Sequence, residues 1–254
     1  MKNTFQVLML LLSVTGILQG CGPQQEESAS VPPAPAAASV SGTASLQGEI
    51  LFEGAVPSQT VLQMDGNPEC RALHPPGPIL GGDVLVREGR VQNAFVYVKE
   101  GLEGKIFETS PIPVVLDNHT CVYEPHVTGA MVNQPIEIRN SDPTLHNVHA
   151  LPEKQAEWNV GLPFQGMKLV KKFPAPEVMV RLKCDVHPWM AGYIGVLPHP
   201  YFSVTGPDGR FALKNLRPGN YTVAVWHERF GTEEQKITVA EDEVKELNFT
   251  FINR

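Results

Sequence analysis

Within seven residues, Cys184-Asp185-Val186-His187-Pro188-Trp189-Met190 carries a thiol, an imidazole and a thioether. Upstream, Leu145-His146-Asn147-Val148-His149 offers two more imidazoles. Thiolate and thioether sulfur are soft and suit Cu(I), while imidazole also suits Cu(II). A trigonal set of two His and one Cys with a weak, distant Met is the donor arrangement of a blue-copper electron-transfer site. A site acceptable to both oxidation states reorganises little when an electron arrives. Each residue alone reads as ordinary structure: a buried thiol, a surface His, a core Met. All three at this spacing, with His146 available upstream, point to a metal. Cys and His also serve zinc, but a thioether on the same loop favours copper, one ion per chain.

The elements that must position these groups read as strands. From Glu177 to Cys184 the faces separate by parity: Val178, Val180, Leu182 and Cys184 on one, Glu177, Met179, Arg181 and Lys183 on the other. Cys184 therefore points inward at a strand's end. The turn Asp185–Trp189 can return His187 and Met190 toward the same point, and Gly192–Leu197 restarts a strand. The remaining donor comes from elsewhere: His146 shares a face with Val148 and Ala150. His149 falls on the opposite face, which argues against it as a ligand. Phe95-Val96-Tyr97-Val98, Val114-Val115-Leu116 and Ile136-Glu137-Ile138 are similar short apolar runs. No stretch sustains a helical period over three turns. With 22 Gly and 23 Pro as punctuation, the pattern predicts an all-β chain of sandwich or barrel type.

The 254 residues carry a formal charge of −7, which excludes a basic nucleic-acid footprint. The length suits two modules. Lys2 precedes an apolar run from Val7 to Leu18, broken by Ser13, Thr15 and Gly16. That run is short for a membrane span and reads as a secretory signal over residues 1–20. Residues 21–45 follow as a Pro/Ala/Ser-rich linker without an apolar face. A seam at Pro198-His199-Pro200 separates a strand-rich body, 46–197, from a segment, 198–254, with about five period-two strands. Gly48–Gly54 looks like a first strand of a similar sandwich.

Several of these segments resemble known families. Leu18-Gln19-Gly20-Cys21 resembles the bacterial lipoprotein box, which implies acylation of Cys21. Gly22 after it implies the outer membrane, with the body facing the periplasm or the cell surface. DGRFALKNLRPGNYTVAVW resembles the carboxypeptidase regulatory-like, or transthyretin-like, module over 201–251. HNVH and CxxHPxM resemble the cupredoxins, most of all the amicyanin/pseudoazurin branch, over roughly 90–197. That resemblance implies a Greek-key β-barrel or sandwich, with His146, Cys184, His187 and Met190 as copper ligands. It also implies that the Asn147 side chain ties the two ligand loops together. His187 becomes the exposed edge of the metal and the electron's exit, with Pro188 and Trp189 forming an apolar docking rim. The whole two-module chain resembles bacterial lipoproteins labelled methylamine-utilisation-like.

Cys70 and Cys121 remain. In an oxidising compartment two unassigned thiols form one pair. Closing a loop of about fifty residues would stabilise the fold by about 4 kcal/mol in the chain-entropy model. Separate thiols, or a second metal site with His74 or His126, are the alternatives. The expected function is a one-electron carrier rather than an enzyme. Its partners would be a c-type cytochrome or another periplasmic oxidoreductase, with a membrane reached through the lipid anchor. No haem-binding CxxCH is present. Copper trafficking and a pure interaction module are the rival readings, the former lacking Met-rich or His-rich tracts.

Overall fold

The computed structural model describes residues 42–253. The signal segment 1–20, Cys21 and the linker as far as residue 41 lie outside the described residues. The described residues are all-β apart from one five-residue helix, Pro68–Ala72. Its strands form four sheets that make two bodies.

The barrel lies between residues 114 and 197. A five-stranded sheet runs in the order Trp158–Leu162, His146–Leu151, Glu177–Lys183, Ala191–Leu197, Val127–Met131. A four-stranded sheet runs Lys168–Lys171, Ile136–Asn140, Val114–His119, Val122–Glu124. Leu116, Ile138, Val148, Val180, Leu182 and Ile194 meet between them in a buried core. These are the inward positions of alternating strands, as the pleat requires.

The second body departs from a simple seam at 198. The C-terminal segment does not close on itself. Ala44–Glu53 pairs antiparallel with Arg210–Leu216 and parallel with both Val244–Glu246 and Phe249–Ile252. Phe95–Glu100 pairs with Phe202–Val204 and with Gly219–His227. The sandwich thus draws on four strands from before the barrel, Ala44–Glu53, Val86–Arg87, Arg90–Val91 and Phe95–Glu100, and the barrel is inserted between them and the C-terminal strands. The physical reason is edge pairing: fifty-odd residues leave sheet edges open, and the N-terminal strands satisfy them. Leu46, Ile50, Phe52, Val96, Val98, Phe211, Val223, Val225 and Phe249 share this core.

The run Phe95-Val96-Tyr97-Val98 is buried at all four positions. Val96 and Val98 face the sandwich core. Phe95 and Tyr97 face the barrel, where they meet Val127, Leu197 and Phe202. Gly195 and Gly129 sit opposite each other in the barrel sheet. A Cβ on Gly195 would lie 2.4 Å from the Phe95 ring, and one on Gly129 2.5 Å from the Phe202 ring. The two glycines make the slot that seats these aromatics. Phe95 has no room to withdraw, being fully buried. Gly195→Ala is therefore expected to cost about 1–3 kcal/mol of stability, a fall in Tm of roughly 2–4 °C per kcal/mol. Calorimetry checks it, and an unchanged Tm would contradict this packing.

Candidate metal centre

His146 opens its strand, and Cys184 follows the end of Glu177–Lys183. Those two strands are antiparallel neighbours, with Lys183 opposite His149 and Leu182 opposite Ala150. That register brings His146 and Cys184 to the same end of the barrel. The loop after Cys184 folds back through two backbone bonds: Met190 N–H donates to His187 C=O at 3.0 Å, and Cys184 N–H to Met190 C=O at 3.4 Å. His187 is thereby carried over the barrel end.

The outcome is a buried cluster of three donors. His146 and His187 are fully buried and Cys184 is nearly so. The two imidazoles face each other through Nδ1 at 3.0 Å, and Cys184 Sγ lies 3.8 Å from His187 Nδ1. All three donor atoms fall within 4.8 Å of one another. Metal bonds of about 2.0–2.3 Å place neighbouring donors roughly 3–4 Å apart, so one ion fits. Two imidazoles and a thiol are also the donor chemistry that copper takes. Burial works against the Cys184 thiolate, but hydrogen bonds with His146, His187 and Asn147 outweigh it and bring the thiol down to about 6. Met190 is buried in the same apolar cluster as Cys184.

Asn147 links the two loops. Its Oδ1 accepts from Cys184 Sγ at 3.2 Å and from Asp185 N–H at 2.8 Å. Its Nδ2 donates to Asn159 at 2.7 Å and to the Asp185 carboxylate at 3.1 Å. Asp185 also accepts from Asn159, His149 and Lys183. The Lys183 ammonium and these donors hold its carboxyl well below the usual carboxylate range. His149 is thus a partner of Asp185, on the face opposite the donor cluster.

The far nitrogens of the two imidazoles are tied as well. His146 Nε2 donates to Asp142 Oδ2 at 2.9 Å. Burial opposes the Asp142 carboxylate, yet His146 and the backbone amides of Cys121 and Thr120 hold it below its ordinary range. This bond fixes the tautomer that leaves Nδ1 free for a metal and raises the ring's basicity. Asn67 Nδ2 lies 3.0 Å from His187 Nε2. Asn67 also caps the helix Pro68–Ala72, accepting from Cys70 N–H. Neither Asp142 nor Asn67 is marked by spacing: Asn67 is 120 residues from its partner.

Asn67 overturns one expectation. His187 is not an exposed edge: its ring is fully buried. The excursion from residue 55 to 84 folds over it as a cap. Cys70 is joined to Cys121 by a disulfide, and Met64 and Ile79 pack around that bond. Trp189 is half-buried beneath the cap, its Nε1 donating to Cys121 C=O at 3.0 Å and its ring 5.1 Å from that of His187. Of the expected rim only Pro188 stays exposed, with Val186 beside it.

Residues 198–251 match the family model for the carboxypeptidase regulatory-like domain. No curated protein matches the chain at a significant level. Among solved structures, a Cu-containing nitrite reductase from Thermus scotoductus SA-01 is 22% identical with a TM-score of 0.30, over 38% of this chain and 24% of that one. The chain therefore spans about a quarter of the reductase. A variant of amicyanin in its oxidized state is 22% identical, TM-score 0.30, over 35% of this chain and 86% of its own. A purple cupredoxin from Nitrosopumilus maritimus is 19% identical, TM-score 0.28, over 33% and 98%.

Two outcomes follow from the buried contacts. Asp142→Asn removes the carboxylate that makes His146 a stronger donor. It should weaken Cu(II) binding by about 10–100-fold and, because Cu(I) gains less from that charge, raise the reduction potential. Competition titration and voltammetry check it; an unchanged potential would contradict the assigned role. Removing the disulfide with a paired Cys70→Ala, Cys121→Ala change frees the cap. A strong chelator should then extract the metal faster than from the parent protein, and equal rates would show that the cap does not limit access.

Proposed function

We propose that this chain is a mononuclear blue-copper protein that carries single electrons between redox partners. The observation that carries this reading is the buried convergence of His146 Nδ1, His187 Nδ1 and Cys184 Sγ. Copper held there supplies a one-electron couple, Cu(II)/Cu(I). The chain's own residues then do the rest. His146, Cys184 and His187 would hold the copper, with the Met190 thioether as a further, weaker donor. Asn147 and Asp185 hold the two loops in register. Asp142 fixes one imidazole, and the apolar core excludes water. Burial of all three donors closes the site to a substrate, which suits a carrier rather than an enzyme.

On this reading Cys21 bears lipid and tethers the body to a bacterial membrane, the outer one favoured, facing the periplasm or the cell surface. Several acyl chains give stable anchoring where one is marginal. Partners are a c-type cytochrome or another periplasmic oxidoreductase. They meet the barrel end at Pro188 and Val186, next to the buried His187. The family-matched sandwich serves as a platform. Copper sequestration is a second reading, favoured by the cap over His187. It requires tight retention without fast electron exchange.

The test is a pair of variants. Cys184→Ser should abolish the coloured copper state outright. Met190→Leu should keep the colour and raise the reduction potential, because loss of an axial donor favours Cu(I). Visible spectroscopy and voltammetry read both. Colour retained in the serine variant would overturn the thiolate assignment.

A further inference from the structure

The barrel, the cap and the turn after the strand Gly219–His227 enclose a cleft of about 840 Å3, within the range of small-molecule sites. Sequence reading gave no sign of it, because its walls come from three distant stretches of chain. Trp189 lines it. That indole is fixed by its bond to Cys121 and lies against the His187 ring. Tyr193 adds a second aromatic wall, and Leu62 and Leu80 of the cap add aliphatic ones.

Two side-chain pairs enter the same space. His126 of the barrel is hydrogen-bonded to Glu228 of the sandwich, and Arg229 beside it forms an ion pair with Asp83 of the cap. Both carboxylates are largely shielded from solvent. Thr60 secures Asp83 through its backbone N–H at 3.0 Å and its hydroxyl at 2.7 Å. These pairs are a built arrangement. Arg181 lines the cleft as well, so a ligand of either full charge would meet its like. A neutral hydroxyl, which both donates and accepts, suits such mixed surroundings. A flat aromatic ring suits the Trp189 and Tyr193 walls.

We propose that this cleft binds a neutral hydroxylated aromatic, a hydroquinone or a substituted phenol, with its ring against Trp189 and a hydroxyl at the His126–Glu228 pair. The ligand's redox role rests on the copper reading above; its binding does not. As an electron donor, the ligand loses its O–H bond. Copper held by His146, Cys184 and His187 would supply the one-electron acceptor; the Glu228 carboxylate would take the proton, and the ligand would leave as a neutral aryloxyl radical.

The test titrates 1,4-hydroquinone into the full-length, metal-free protein in mild detergent, read by ligand-observed NMR and Trp fluorescence. Two variants accompany it: Glu228→Gln, which removes the charged acceptor, and Leu80→Trp, which fills the cleft from its exposed cap wall. Neither touches a metal donor. Saturable binding weakened about tenfold by either change, with the thiolate–copper band intact after Cu(II) is added, supports the proposal. Absence of saturable binding, or binding indifferent to both variants, overturns it. Specific binding without a coloured copper state upholds the cleft and overturns the copper reading. A coloured state without specific binding does the reverse.

Discussion

The antiparallel pairing of His146–Leu151 with Glu177–Lys183 is the constraint on which the centre depends. It sets two loops, nearly forty residues apart in sequence, at one end of the barrel. It also turns His146 and Cys184 to the same inner face. A slip of one residue would point one of them to the opposite face. Asn147 guards that register at the loop ends, since its one amide bonds both Cys184 and Asp185 across the gap. The apolar core beneath, with Val148, Ala150, Val180 and Leu182, gives the pairing its depth and keeps water from the donors.

The cap changes what the centre can face. The His187 imidazole is buried and its outer nitrogen meets Asn67, so the ring itself is shielded from solvent. On its other side the ring meets Trp189, which the Cys121 backbone holds in place. The disulfide joins the cap at Cys70 to that same point. Through Asp142, Cys121 is also one hydrogen-bonded step from His146. Both imidazoles are therefore braced by groups that meet at the cap's anchor.

The donor loop was legible because its chemistry is local: Cys184 and His187 lie three residues apart, and strand parity turns Cys184 inward. Parity likewise separated His146 from His149, and the structure places His149 on Asp185 instead. The all-β fold followed from short alternating runs. Asn67 and the cleft were not legible, because tertiary folding alone brings those groups together; Asp142 lies only four residues before His146, but nothing in the sequence marks it as that ring's partner. The sandwich's true extent escaped for a related reason. Four apolar residues at 95–98 announce a strand buried on both faces, but they do not say that one face belongs to a sheet built more than a hundred residues later.

The most direct measurement is the visible and electron paramagnetic resonance spectrum of the full-length protein after one equivalent of Cu(II). An intense thiolate-to-copper band with a narrow copper hyperfine splitting is the result expected if Cys184 and the two imidazoles hold the ion. A colourless protein, or ordinary square-planar copper signals, would contradict it.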